Sequence, residues 1–244
     1  MPKILFKELT ELKLKMIRDD ILAVLLAGGK SRRMGGGDKS LQELAGEPLI
    51  SHVIKRIKPQ TNCMIINANG NPKRFSSFGL EVVNDVVPGQ QGPLAGVLTG
   101  LEWAIENKPN IQWVLSVPTD APFLPFDLVD RLFLAICSAE SLVDSNALGQ
   151  QESNSVVGAC ASSGGRRHPV VALWPLSWRD QLWDALVSQG IKKIDDFTHS
   201  LALEVAEFSS DPIDPFTNIN TLPDLNLADE LLEANRMLND LEPK

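Results

Sequence analysis

A glycine-rich, basic segment carries the strongest chemical signal in this sequence. It reads LAGGKSRRMGGGDK over residues 26–39 and contains five glycines and four lysines or arginines. Glycines let backbone N–H groups approach phosphate oxygens closely, while Lys and Arg neutralise phosphate charge. Because the whole chain has a formal net charge of -8, an anionic ligand needs such a local positive patch. We interpret the segment as a polyphosphate cradle.

The spacing in this segment excludes two common nucleotide-binding motifs. It matches neither G-x-x-x-x-G-K-[ST] nor G-x-G-x-x-G, because Asp38 precedes Lys39 where the P-loop needs glycine. The alternative interpretation is a mobile surface linker, in which glycine and charge also cluster. The strongly apolar run before the segment favours a ligand site.

Three polar residues that follow apolar runs are further candidates. Asp120 comes just after WVLSVP at residues 113–118, and Mg²⁺ commonly takes one or two carboxylates, with phosphates and water completing its shell. Asn67 offers both an acceptor and donors to a base or ribose, and the Asp85 carboxylate suits a base with two N–H donors, such as guanine. The plainer interpretation is that Asn67 forms a turn and Asp120 caps a helix or forms a turn.

The elements that must position these residues follow from hydrophobic periodicity. ILAVLLA at residues 21–27 predicts a central parallel strand buried on both faces. Further strands are predicted at 64–67, 81–84, 113–117, 155–161 and 170–173, helices at 48–57, 94–106, 127–139 and 224–238, and an exposed loop at 138–154. This alternation predicts an α/β fold with three layers and a doubly wound, mostly parallel sheet. Ligands of such sheets lie beyond the carboxyl ends of the strands, which is where the candidate residues fall.

Composition narrows the class of protein. We expect a single domain at residues 21–244, preceded by a disordered or helical, dispensable extension at residues 1–20. The negative charge argues against nucleic-acid binding. No apolar stretch reaches the roughly 18 residues of a membrane span, and no secretory signal is present, so we expect a cytoplasmic protein. Cys63, Cys137 and Cys160 lack metal-binding spacing and are predicted to be reduced, mostly buried thiols.

Residues 26–39 resemble L-A-G-G-x-x-x-R-M-G-G-x-D-K, the signature of the molybdenum cofactor guanylyltransferases in the nucleotidyltransferase superfamily, at every fixed position. The resemblance spans roughly residues 21–230. Its other segments are INAN at 66–69, GPLAG at 92–96, TDAPF at 119–123, RRHPVVAL at 166–173 and FTNINTLPDL at 216–225. Thr119 replaces a cysteine that is frequent in the family, which leaves the neighbouring carboxylate untouched.

The resemblance implies an enzyme that uses Mg²⁺ to move GMP from GTP to the terminal phosphate of molybdopterin. The implied GTP-binding residues are Leu26, Ala27, Gly28, Lys39, Asn67, Asp85 and Asp120. Among these, Asp120 is the implied metal ligand, and Lys39, Asp120 and Arg33 are the implied catalytic residues. The implied acceptor-side residues are Arg167, His168, Asn218 and Asn220. We expect a monomer that makes transient contacts with other molybdenum cofactor biosynthesis proteins.

Three alternative functions stay open. A molybdopterin cytidylyltransferase usually has L-A-A-G in this loop, so Gly28 and the pair Asp38-Lys39 favour guanine. A sugar nucleotidyltransferase shares the loop and Mg²⁺ but is disfavoured by residues 218–221. A noncatalytic nucleotide-binding adaptor is disfavoured by the presence of both Lys39 and Asp120.

Overall fold

A seven-stranded, mostly parallel sheet forms the centre of the molecule in a computed structural model. The structure describes residues 17–28, 37–89, 92–146, 157–201 and 203–241. Most of the predicted N-terminal extension, the stretch 29–36 with Arg33, and residues 147–154 of the predicted loop lie outside the described residues. The boundary after residue 20 stays a prediction.

The described residues form nine strands and six α-helices, besides several 3-10 helices. The strands are β1 (Ile21–Leu26), β2 (Glu43–Leu44), β3 (Glu47–Pro48), β4 (Cys63–Asn67), β5 (Glu81–Val83), β6 (Trp113–Pro118), β7 (Gly158–Ser163), β8 (Arg166–Pro175) and β9 (Leu203–Phe208). The helices are α1 (Leu49–Ile57), α2 (Pro93–Asn107), α3 (Leu128–Asn146), α4 (Arg179–Trp183, continued by a π turn at Asp184–Ser188), α5 (Ile194–Thr198) and α6 (Leu222–Leu241).

The strand order in the main sheet is β5-β4-β1-β6-β8-β7-β9, and β2 and β3 form a separate antiparallel ribbon. Strands β5, β4, β1 and β6 are parallel. Strand β8 runs antiparallel to both β6 and β7, while β9 is parallel to β7. The predicted mostly parallel α/β sheet is confirmed.

Strand β1 shows why the fold has three layers. Its alternate residues enter two different hydrophobic cores, as the twofold side-chain periodicity of a strand requires. Ile21, Ala23 and Leu25 pack with apolar residues of α1 and α3. Leu22 and Val24 pack on the other face, against α2. Helices therefore cover both faces of the sheet.

The prediction of an exposed loop at 138–154 is wrong for residues 138–146. Helix α3 continues to Asn146, because residues 138–146 contain neither Gly nor Pro to end it. Cys160 is buried, but Cys63 and Cys137 are only partly buried, and these three described cysteines form no disulfide bond. Among the described residues, no helix has the length and apolar character needed to cross a bilayer.

Candidate active site

The carboxyl ends of β1, β4 and β6 bring the candidate residues to one edge of the sheet. Leu26 is in register with Asn67 on one side and with Pro118 on the other. Strands β4 and β6 lie on opposite sides of β1, so the strand order changes direction at β1. Ligands of doubly wound sheets bind at such a switch point. A cavity of about 450 Å³ opens at this point. Its lining includes Leu26, Gly28, Lys39, Asn67, Asn69, Asp85, Thr119, Asp120 and Asn218.

At one end of this cavity the Lys39 ammonium group contacts two oxygens. It forms an ion pair with the Asp120 carboxylate, and it donates to Asn220 Oδ1 at 2.5 Å. Asp120 follows β6, and its carbonyl accepts from the Ile219 N–H at 2.9 Å, which holds the loop bearing Asn220 against it. The side chains of Lys39 and Asp120 are 12% and 18% exposed. The chain thus places one carboxylate and one amide oxygen around a single cation.

At the other end, the Asp85 carboxylate is held by two amide side chains. Asn67 Nδ2 donates to Asp85 Oδ1 at 2.9 Å, and Asn69 Nδ2 donates to Asp85 Oδ2 at 2.7 Å. The backbone N–H of Asp85 donates back to Asn69 Oδ1 at 3.0 Å. A carboxylate has about four acceptor positions, so about two remain for a ligand. Asn69 was missed by sequence reasoning, although it lies within the INAN segment.

Glycine at position 96 allows helix α2 to approach this amide network. A Cβ atom added to Gly96 would lie 2.4 Å from Asn67 Oδ1 and 2.4 Å from Leu26 Cδ2. Real Cβ atoms do not approach other heavy atoms that closely. The lack of a side chain at Gly96, the last residue of GPLAG, therefore leaves room for the Asn67 side chain. The motif itself did not indicate this close approach.

Arg74 links Asp38 to Asn69, two residues next to or in the cavity lining, and was also missed by sequence reasoning. Its Nε donates to Asp38 Oδ2 at 2.6 Å, next to Lys39, and its Nη2 donates to the Asn69 carbonyl at 2.8 Å. The guanidinium group also lies over the Phe75 ring, 4.6 Å from its centroid. Asp38 Oδ1 accepts from the Ser40 N–H at 3.3 Å and so caps the turn that carries Lys39. Arg74 thus ties the phosphate-loop end to the segment that holds Asp85.

A second cavity of about 370 Å³ adjoins the first and shares Pro118, Val170 and Asn218 with it. Its lining includes Arg166, Arg167 and His168 at the start of β8. Arg166 and Arg167 bring two positive charges to this lining, which suits an anionic ligand. The predicted acceptor-side residues Arg167, His168 and Asn218 therefore lie together in a cavity open to the first one.

His168 is fixed by a short hydrogen-bonded chain. Its Nε2 lies 2.7 Å from Ser163 Oγ, which donates to Asp214 Oδ1 at 2.8 Å. The ring also packs 4.8 Å from the Phe216 ring, centroid to centroid. Burial lowers the pKa of His168, and Asp214 opposes that effect in part. Burial therefore favours the neutral form of the imidazole.

The remaining predicted residues fall in several places. The backbone N–H of Ala27 donates to the Asn67 carbonyl at 2.9 Å, so it is engaged in the sheet rather than pointing into the cavity. Asn220 reaches the site through its contact with Lys39. Arg33 lies outside the described residues, so its predicted catalytic role stays a prediction.

The oxygen donors around Lys39 suit a hard divalent cation. Within the described part of the chain, no three His, Cys, Asp or Glu side chains cluster as a metal-binding group. Mg²⁺ needs no such cluster, because it usually keeps several waters and takes phosphate oxygens beside one or two carboxylates. Asp120 and Asn220 already face one cationic group. This donor set fits Mg²⁺ bound together with a polyphosphate.

Known proteins resemble this chain over most of its length. The molybdenum cofactor guanylyltransferase of Rhodopseudomonas palustris (strain BisB5) is 46% identical over 209 residues, which cover 86% of this chain and 92% of that protein. The protein of the same name from Bradyrhizobium sp. (strain ORS 278) is 47% identical over 208 residues, which cover 85% of this chain and 91% of that protein. The crystal structure of molybdopterin-guanine dinucleotide biosynthesis protein A from Archaeoglobus fulgidus superposes with a TM-score of 0.60 at 22% identity, covering 88% and 99%. This last likeness shows the shared fold.

A doubly wound sheet with a charged cavity at its switch point is typical of α/β proteins that bind a ligand there, and the family match identifies the class of this protein as a nucleotidyltransferase. The MobA-like NTP transferase domain matches residues 23–202. Together with the two relatives above, this match shows that the chain belongs to the molybdenum cofactor guanylyltransferase family. The resemblance of the segment at residues 26–39 is confirmed. Enzymes of this class are generally metal-dependent.

Proposed function

We propose that this protein transfers GMP from GTP to the terminal phosphate of molybdopterin and releases pyrophosphate. One observation carries the proposal. Lys39, Asp120 and Asp85 line a single cavity, and this cavity adjoins a second one that is lined by Arg166 and Arg167. The names of the relatives supply the guanine nucleotide and the cofactor acceptor.

The base end of the cavity selects guanine. Guanine presents two neighbouring N–H donors on its pairing edge, and the Asp85 carboxylate keeps acceptor positions beyond those used by Asn67 and Asn69. Cytosine presents one amino donor beside two acceptors, which a carboxylate would repel. The amide network therefore favours GTP over CTP.

The phosphate end neutralises the triphosphate. Lys39 exchanges its contact with Asp120 for the β- and γ-phosphates, helped by backbone N–H groups of the glycine-rich segment, and Arg33 stabilises the leaving pyrophosphate. Asp120 and Asn220 would hold Mg²⁺, which would neutralise charge on the α-phosphate. Two cationic groups are needed at this end because the acceptor brings further negative charge.

The acceptor supplies its own nucleophile. A phosphate monoester has a second pKa near ~6, so at neutral pH it is largely dianionic and needs no general base. Its oxygen forms a new bond to the α-phosphorus of GTP as the bond to the bridging oxygen of pyrophosphate breaks. Arg166 and Arg167 hold the acceptor anion, and the chain's task is in-line positioning and charge stabilisation.

Three further parts of the proposal come from the sequence predictions. The protein acts as a monomer, works in the cytoplasm, and receives molybdopterin through transient contacts with other cofactor-biosynthesis proteins. Neither nucleic acid nor membrane takes part in the reaction.

A nucleotide-selection assay tests the function. The protein is incubated with Mg²⁺, molybdopterin and one of GTP, CTP, ATP or UTP, and dinucleotide product is quantified. We expect product from GTP only, with a loss of at least ~100-fold in Lys39→Ala and Asp120→Ala, as for other charge-stabilising groups. Lys55→Ala is the matched control, because it removes an exposed lysine paired with Glu47 far from the cavities. Product from CTP would contradict the role of Asp85, and no product from any nucleotide would favour a binding protein.

A further inference from the structure

Ser163, His168 and Asp214 form a chain of contacts that does not match a nucleophilic triad. Asp214 bonds the serine rather than the histidine, because Ser163 Oγ lies 2.8 Å from Asp214 Oδ1 and 2.7 Å from His168 Nε2. In a triad the carboxylate orients the imidazole and the imidazole accepts the serine proton. Here the serine, 2% exposed at the end of β7, stands in the middle.

This order of contacts fixes the direction of each hydrogen bond. Asp214 as a carboxylate only accepts, so the single proton of the Ser163 hydroxyl goes to Asp214 Oδ1. The same oxygen accepts from the Phe216 N–H at 3.0 Å. Ser163 Oγ is left as an acceptor toward His168, and the imidazole must therefore carry its proton on Nε2. In a neutral ring the other nitrogen, Nδ1, is then an acceptor.

The Nδ1 atom is available to a ligand. The hydrogen bond of the His168 side chain within the described residues is the one made through Nε2. In the described part of the chain, the buried side-chain atoms that lack a hydrogen-bond partner are Arg18 Nε and Thr61 Oγ1. His168 Nδ1 also lacks a partner but is not among them, so it is accessible. His168 lines the second cavity, so a ligand bound there lies beside an imidazole whose Nδ1 has no partner among the described residues.

We propose that Asp214 and Ser163 hold His168 as the Nε2-protonated tautomer, so that its Nδ1 accepts a hydrogen bond from an N–H group of the pterin acceptor. The identity of this ligand rests on the proposed function. Arg166 and Arg167, in the same cavity, hold the anionic part of that ligand. His168 is thus a specificity-determining residue, and Ser163 and Asp214 are positioning residues that act through it.

A neutral acceptor suits the charge of the cavity. Arg166 and Arg167 line this cavity together with one carboxylate, Asp195, so the lining is positive without the imidazole. A protonated imidazole would offer donors only and repel an N–H group. Burial and the neighbouring Arg166 lower the pKa of His168, whereas Asp214 and Glu207 raise it. The neutral state therefore agrees with the hydrogen-bond directions read from the geometry.

The tautomer is tested by NMR of the full chain labelled with ¹⁵N-histidine. The chain has three histidines, so His52 and His199 serve as internal references. We expect His168 at pH 7 to show a protonated Nε2 and an unprotonated Nδ1, and the Nδ1 resonance to shift upfield on addition of molybdopterin. A protonated Nδ1 or a charged ring would overturn the proposal.

Two substitutions of Asp214 separate positioning from packing. In Asp214→Asn the amide oxygen should take the position of Oδ1, because the Phe216 N–H donates to that position and requires an acceptor. The tautomer of His168 should therefore be unchanged. Asp214→Ala frees the Ser163 hydroxyl to donate to Nε2, which moves the proton to Nδ1. Ser163→Ala is the second variant if Asp214→Ala does not fold, and it should give a mixture of tautomers. An unchanged tautomer in the variant that folds would refute the role of the pair.

Kinetics test the recognition step. We expect KM for molybdopterin to rise about tenfold in Asp214→Ala and in His168→Gln, which is the usual effect of losing one hydrogen bond to a buried polar group. The glutamine amide can replace Nε2 of the histidine but not Nδ1. KM for GTP should not change. Asp214→Asn should behave as the parent, and so should His199→Asn, which alters an exposed histidine outside the cavity lining. An equal rise in both Michaelis constants would refute the assignment. If no nucleotide gives product, the proposed function fails, whereas the NMR experiment still decides the tautomer.

Discussion

Gly96→Ala tests whether the packing of helix α2 sets the base site. The added methyl carbon would lie 2.4 Å from Asn67 Oδ1, whereas an unstrained contact needs roughly 3.5 Å. Asn67 must therefore retreat on the order of 1 Å. Its hydrogen bond to Asp85, now 2.9 Å between Nδ2 and Oδ1, would then break.

The expected magnitudes separate binding from stability. Overpacking a core position costs about 1–3 kcal/mol, and replacing a helical glycine by alanine returns up to about 1 kcal/mol, so the net loss of stability is about 0–3 kcal/mol. Losing a hydrogen bond to a charged group costs about 1.5–3 kcal/mol. If that bond orients Asp85 for guanine, GTP affinity falls by about 10- to 100-fold.

Gly100→Ala is the matched control for this substitution. It lies one helical turn further along α2, and its added methyl carbon would be 2.4 Å from Val24 Cγ2 and 3.1 Å from Val114 Cγ1. It overpacks the same helix without touching Asn67. Urea unfolding measures stability and calorimetric titration with Mg²⁺-GTP measures affinity. The reasoning is refuted if both variants lose GTP affinity equally, or if Gly96→Ala folds and binds GTP as the parent does.

Three other substitutions or treatments give distinct outcomes. Arg74→Ala should raise KM for GTP about tenfold in steady-state assays, because the tether to Asp38 is lost; an unchanged KM would show that the tether is not needed. Ser116→Ala should lower the free energy of unfolding by about 1–3 kcal/mol in urea, because the Trp174 Nε1–H loses its 2.8 Å acceptor in the core; a change below about 0.5 kcal/mol would contradict this. Burial raises the pKa of Cys160 to about 11, so iodoacetamide at pH 8 should modify it only after unfolding, as peptide mass spectrometry would show.

The parts of the site that could be predicted from sequence are those that follow strands. Lys39, Asn67, Asp85 and Asp120 all line one cavity, because the carboxyl ends of neighbouring parallel strands meet at one edge of the sheet. Each lies at the end of an apolar run or in a segment with an unusual composition. Their location therefore follows from local pattern together with one topological rule.

The residues that hold this site could not be predicted in the same way. Arg74 reaches Asp38 across 36 residues of sequence, and Ser163 reaches Asp214 across 51. Neither contact is encoded by periodicity or by a motif, since the partners meet only when the chain has folded. An arginine or serine of this kind is indistinguishable in sequence from one on the surface.

The direction of β8 and the presence of β9 in the sheet could not be predicted from local sequence either. The apolar run at residues 170–173 predicted a strand, but its antiparallel direction between β6 and β7 depends on the connections around it. Strand β9 has a mixed burial pattern in Leu203–Phe208 and lies at the edge of the sheet. Side chains that are only partly buried give a weak periodic signal, so this strand was missed.

Three titratable groups in the two cavities, Lys39, Asp85 and His168, are held in fixed contacts rather than arranged for proton transfer. Lys39 is paired with Asp120, Asp85 is held by two amides, and His168 is held by Ser163. Under the proposed function the phosphate nucleophile arrives already deprotonated, so the chemistry asks the protein for charge and alignment. A protein of formal net charge -8 can bring two anions together only by concentrating cations where they meet. The placement of Lys39 in one cavity and of Arg166 and Arg167 in the lining of the next contributes to that requirement.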